Sequence, residues 1–103
     1  MRKTAPFLIV MALCLICLPV SAQKLLIPMD DEQADHLRAY GVTYWILDKT
    51  GTDVEWLLNY RGGAFLAEDL EETRQRARTA GVTIQPIGNG EVNKIYAIIE
   101  EEN

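Results

Sequence analysis

The twelve residues from Phe7 to Leu18 are all apolar, and the role of that run sets how much chain is left to fold. Arg2 and Lys3 precede it; Pro19 and the small residues Val20, Ser21 and Ala22 follow it. A basic start, an apolar stretch and a small-residue cleavage site make the layout of a secretory signal peptide, cut after Ala22. The run is too short for a membrane-spanning helix, which needs about 20 such residues. A lipoprotein signal would place a small residue directly before the lipidated cysteine, whereas Leu13 precedes Cys14 and Ile16 precedes Cys17. The reading is export in soluble form, secreted or periplasmic. Residues 1–22 are the leader, residues 23–103 the folding segment, and no membrane attachment is expected after cleavage.

Cleavage changes the arithmetic. The chain of 103 residues carries two cysteines and a net charge of −5. Both cysteines leave with the leader, and so do Arg2 and Lys3. The remaining 81 residues hold 8 basic and 15 acidic side chains, a net −7. A disulfide scaffold, a thiol nucleophile and a cysteine metal site are thereby excluded from the exported segment. Nucleic acid is not an expected partner either, because phosphate contact needs a basic surface.

Along that segment, Lys24 to Pro28 reads as a first strand. Asp30 to Tyr40 reads as a helix capped by Asp30, stopped by Gly41, with Ala34, Leu37 and Tyr40 on its inner side. Val42 to Leu47 (VTYWIL) is β-branched and aromatic, Asp48 to Asp53 is turn chemistry, and Val54 to Leu58 (VEWLL) is a matching run, which together predict a β-hairpin. Asn59 to Gly63 is a loop, followed by a brief extended piece at Ala64 to Leu66. Asp69 to Ala80 predicts a second helix, acidic at its front, basic at its back, with a Glu72–Arg76 pair and a stop at Gly81. Val82 to Ile87 reads as a fourth strand and Asn89-Gly90 as a turn. Val92, Ile95, Tyr96 and Ile99 then form one helical apolar face.

The order β-α-β-β-α-β-α predicts an α/β protein, a mixed sheet of about four strands with three helices. A strand, crossover helix and strand imply a parallel pair with a right-handed connection. Two details point to an incomplete domain. The predicted hairpin strands are apolar on both faces, which calls for cover on both sides, and 81 residues without staples supply little core. The last helix also ends in Glu100, Glu101 and Glu102, negative charge at the negative end of its dipole. Downstream chain missing from this sequence, or an obligate protein partner, would account for both.

Few residues carry chemistry. His36 is the lone histidine, and it reads as a surface residue of an acidic helix rather than a metal ligand. Asp30 lies where the first strand hands over to the first helix, a place where open α/β sheets bind ligands; helix capping is the simpler role. Arg61-Gly62-Gly63 is the most suggestive loop. Its glycines let backbone N–H groups approach a small anion that an arginine could clamp, although it lacks the lysine and extended glycine pattern of a phosphate loop. Asn59 and Tyr60 beside it complete the ligand-binding candidates. No catalytic residue, metal site or cofactor is read from the sequence.

The strings KLLIPMDDEQADHLRAYGVTYWIL and VEWLLNYRGGAFL resemble the N-terminal part of a secreted bacterial family that goes by the name asparagine synthetase B. The likeness runs over residues 24 to 99, with IPMD, HLRAYG and WLLNYRGG as its most specific strings. Members of that family are several times longer and also begin with a signal peptide. The resemblance therefore implies the start of a first domain, non-catalytic by itself. The family name implies glutamine-dependent amide transfer, with catalytic residues lying downstream. The segment itself starts at Gln23 without a thiol or hydroxyl nucleophile, and contains no serine. A third expectation is a small extracytoplasmic module that binds a ligand or partner through Asp30 and the Arg61 loop.

Overall fold

The computed structural model describes residues 23–102, so the leader expectation lies outside the described residues. Three consecutive residues of the first strand, Leu25, Leu26 and Ile27, are all but excluded from solvent. Alternate side chains of a strand point to opposite faces, so such a run belongs in the middle of a sheet covered on both sides. Strand β1 (Gln23–Ile27) is indeed internal. It pairs antiparallel with β3 (Ala64–Glu68) on one side and with β4 (Gln85–Gly88) on the other. Strand β2 (Val54–Leu57) adds to β3, again antiparallel, giving the order β2-β3-β1-β4.

The helices follow the sheet's two faces. Helix α1 (His36–Trp45, extended by a π-helical turn Ile46–Thr50) and α2 (Glu71–Ala80) cover one face. There Ile27, Phe65 and Ala67 of the sheet meet Ala39, Val42 and Ile46 of α1 and Ala77 of α2. Helix α3 (Asn89–Glu102) covers the other face, setting Val92 and Ile95 on Leu26, Leu57, Ala64 and Leu66. Tyr96 also donates from its hydroxyl to the Glu55 carboxylate on β2. That acceptor raises the tyrosine pKa above its usual value, with burial adding to the effect.

The order of element types is the one expected, β-α-β-β-α-β-α, although the middle strands are Val54–Leu57 and Ala64–Glu68 rather than 42–47 and 54–58. The described residues are α/β, with four strands in one open sheet. The parallel pair is corrected, because Val42 to Leu47, the strand expected after the crossover helix, is helix. Strands β1 and β2 do run the same way, since each is antiparallel to β3. But β3 lies between them, so all neighbours are antiparallel. This is the split β-α-β arrangement of the ferredoxin-like topology.

The main local correction falls on residues 30–50. The helix begins at His36, capped by the Asp35 side chain, which accepts from the Arg38 N–H at 3.0 Å. It passes through Gly41 and ends at Gly51, whose φ of 70° is left-handed. Val42 to Leu47 is therefore helix, not strand, and the hairpin is formed by β2 and β3. Burial overrides local strand propensity here: Ala39, Val42, Thr43 and Ile46 recur at i, i+3, i+4 and i+7 and all are buried. The expected inner residues Ala34, Leu37 and Tyr40 are instead exposed.

Other expectations are met or adjusted in detail. Helix α2 starts at Glu71 and stops at Gly81, with a φ of 73°. Glu72 and Arg76 form no ion pair within 4.0 Å among the described residues; Arg76 lies over the Trp45 ring at 5.3 Å. Asn89 and Gly90 open α3 directly rather than forming a separate turn. The brief extended piece after Gly63 is a full internal strand. Asp69 and Arg74 fasten the end of β3 to α2 by two hydrogen bonds of 2.7 Å. This guanidinium, more than the opposing effect of burial, lowers the Asp69 pKa and is itself raised in turn.

Candidate interaction site

Two surfaces hold the residues that chemistry would single out. The first is the end of the sheet where three connections meet: 28–35, 58–63 and 81–84. It gathers the candidates Asp30, Asn59, Tyr60, Arg61, Gly62 and Gly63. Arg61 Nε donates to Asp30 Oδ2 at 2.8 Å, Nη2 reaches Oδ1 at 3.4 Å, and Nη1 donates to Gln85 Oε1 at 3.0 Å. The paired guanidinium holds the Asp30 carboxyl below its ordinary pKa, aided by the Glu32 N–H, while Asp30 raises that of Arg61. Asp30 thus serves as a loop partner, not as the helix cap.

The glycines have a backbone task. Arg61, Gly62 and Gly63 have φ values of 49°, 79° and 90°, a left-handed run that side chains resist. A Cβ on Gly62 would stand 2.5 Å from the Met29 carbonyl oxygen, because Met29 N–H donates to Arg61 O at 3.1 Å and draws the two loops together. Gly63 accepts from Trp56 Nε1 at 3.0 Å. Tyr60 is half-buried against the α3-side core and Asn59 is exposed.

Beneath these loops, buried Gln33 is saturated. Its amide donates to Pro28 O at 2.8 Å and Thr83 O at 3.0 Å, and its oxygen accepts from Thr83 N–H at 2.7 Å. Exposed His36 donates from Nε2 to the Asp30 carbonyl at 2.8 Å. A pocket of about 320 Å³ opens beside Arg61, lined also by Tyr60, Gln85, Ile87 and Glu91. Glu91 in its wall disfavours an anion, and Arg61 has most of its donors already engaged. Among the described residues, no group of three or more His, Cys, Asp or Glu side chains is placed to hold a metal ion. No described helix is long and apolar enough to cross a membrane.

The second surface is the outer side of α1, and sequence reasoning missed it. Leu37 is 82% exposed, Tyr40 51%, Tyr44 69% and Leu47 50%. Their spacing of three, four and three places them on one stripe of the helix. The stripe continues toward the sheet edge: Tyr40 meets the Phe65 ring edge-on at 5.9 Å, and Phe65 stacks on Trp56 at 5.8 Å. Trp56 itself is 56% exposed. The signal was present as the leucine–tyrosine repeat. It was masked because residues 39–47 are apolar on both sides of the helix.

Counting about 200 Å² for each aromatic side chain, the exposed parts of Tyr40, Tyr44 and Trp56 come to roughly 350 Å². Leu37 and Leu47 add to that. Monomeric proteins seldom expose larger contiguous apolar patches, about 300–600 Å² being the usual maximum, and such patches often serve recognition. No family model matches the chain, and neither a curated protein nor a solved structure does so.

Proposed function

We propose that residues 23–103 act as an exported, non-catalytic interaction module whose working surface is the outer face of α1. The observation that carries this reading is the contrast between the two surfaces. Arg61 is held by Asp30 and Gln85, and Gln33 by Pro28 and Thr83, while Leu37, Tyr40, Tyr44, Leu47 and Trp56 are largely exposed to water. Burying aromatic anchors is how protein interfaces gain most of their affinity. The resemblance to the N-terminal segment of the asparagine synthetase B-type family accords with a module that has no chemistry of its own. Export after cleavage at Ala22 belongs to the same proposal.

The test is photo-crosslinking in cells that export the chain, with a photoreactive phenylalanine analogue in place of Tyr44 and, as control, in place of Lys94 on α3. A discrete protein adduct from position 44 and none from position 94 is expected. Absence of any adduct from position 44 would remove the interaction reading.

A further inference from the structure

Resting on that reading, we propose that the occupant of the α1 face is a second copy of this chain, the two α1 helices packing antiparallel about a twofold axis near Val42. The stripe is a palindrome: Leu37, Tyr40, Tyr44 and Leu47 read the same from either end. A twofold interface must be self-complementary, residue i meeting residue j and j meeting i. Antiparallel pairing centred on residue 42 sets Leu37 against Leu47 of the partner subunit and Tyr40 against Tyr44 of the partner subunit. Leucine meets leucine and tyrosine meets tyrosine, along a seam with the three-four alternation of paired helices.

Gly41 supports the same geometry. A glycine inside a helix is less stable than an alanine. Nothing among the described residues explains it, since a Cβ there would meet no atom of theirs within 4 Å. It flanks the stripe one residue from the proposed axis, so the two Gly41 positions lie only about 3 Å apart along the paired helices at 1.5 Å per residue. A missing side chain there lets the two backbones approach.

Charge does not oppose the pairing, despite the net −7 of the segment. The seam contains no ionised residue. Asp48, which borders it, lies at opposite ends in the two copies, about 18 Å apart along the axis at 1.5 Å per residue. At about 200 Å² per aromatic side chain, Tyr40 and Tyr44 expose roughly 240 Å². With the two leucines they form the apolar centre of an interface whose surrounding rim supplies the rest of the about 800 Å² per partner found in stable dimers.

Sedimentation of the purified chain over a range of concentrations tests the proposal. A monomer–dimer equilibrium is expected, with Tyr44→Lys monomeric where the parent is dimeric and its far-UV circular dichroism unchanged. In a Cys14→Ser, Cys17→Ser background, Gly41→Cys should oxidise to a covalent dimer and Glu91→Cys should not. A chain that stays monomeric throughout overturns self-pairing, as does a dimer indifferent to Tyr44→Lys with no link through Gly41→Cys. The two readings fail separately. A monomer whose position-44 probe captures a different protein ends self-pairing and leaves the interaction module standing; a monomer with no adduct ends both.

Discussion

The loop end of the sheet and the outer face of α1 treat their side chains in opposite ways. At the loop end, charged and amide groups look like a binding site, and the main ones find their partners inside the molecule. Arg61 is held by Asp30 and Gln85, and Gln33 joins Pro28 to Thr83. On α1, leucines and tyrosines look like core and are left in water. The difference teaches that residue type alone misplaces function in a small domain. What counts is whether a group's preferred partners are already supplied by its own chain.

The most damaging single change should be at the loop end. Gly62→Ala puts a methyl group 2.5 Å from the Met29 carbonyl oxygen at a φ of 79°. Both partners are backbone, so neither can swing aside. A loss of about 3 kcal/mol is expected from the strained conformation and the clash together, read by urea unfolding. A change below about 1 kcal/mol would mean that the two loops do not depend on their close approach.

Gln33→Ala should come next. It leaves the Thr83 N–H and the Pro28 carbonyl without their partners in a buried position. Unsatisfied buried groups cost about 1–3 kcal/mol each, so a loss near 2 kcal/mol is expected in the same measurement. An unchanged urea midpoint would show that water replaces the amide, and that the loop end is less closed than its hydrogen bonds imply.

Parts of this were legible in the sequence, for identifiable reasons. The acidic front of α2 and its Gly81 stop act within one helical turn, and Val92, Ile95 and Ile99 repeat along a single helix; local pattern therefore reached both. Residues 42–47 misled because β-branched and aromatic residues favour strands, whereas their structure is set by contact with Ile27 and Phe65. Gly41 imitated a helix stop because the conformation of an isolated glycine is not written in its neighbours. The Asp30–Arg61 bond joins residues 31 apart, a pairing that only the sheet's strand order brings about. The same strand order turned a parallel pair into a split one, by inserting β3.

Acid should separate the ion-paired parts of the molecule from the α1 face. Asp30 and Asp69 have pKa values lowered by Arg61 and Arg74. A carboxylate with a depressed folded-state pKa stabilises fully above its ordinary value, near 3.8 here, and that contribution disappears as pH falls through the lower folded-state value. Stability should therefore be nearly level from pH 7 to about 5 and decline below about 4. Asp69→Asn should make that decline shallower. An equally steep decline in Asp69→Asn would assign the acid sensitivity to other carboxylates. The α1 seam has no carboxylate, so self-association should weaken in acid only as far as folding does.

Gly41→Ala reverses the sign. The added methyl group enters open space in a regular helix, so the folded monomer should gain roughly 0.5–1 kcal/mol. If α1 pairs with its own copy, the same methyl group stands between two backbones, and the dimer should weaken while each monomer becomes harder to unfold. A gain in both properties would place Gly41 away from the contact.

The smallest stability effect belongs to Leu37→Gln, and its smallness is informative. Leu37 is 82% exposed, so its removal takes almost no buried apolar surface from the monomer. Glutamine and leucine also differ little in helix propensity. The unfolding free energy measured at concentrations where the chain is monomeric should shift by less than about 0.5 kcal/mol. At higher concentration the parent gains stability from association, because a partner that binds only the folded state shifts the unfolding equilibrium, and Leu37→Gln should lose that gain. A variant destabilised by 2 kcal/mol or more while still monomeric would mean that Leu37 packs within its own chain. The outer face of α1 would then be part of the core, and the contrast with the loop end would vanish.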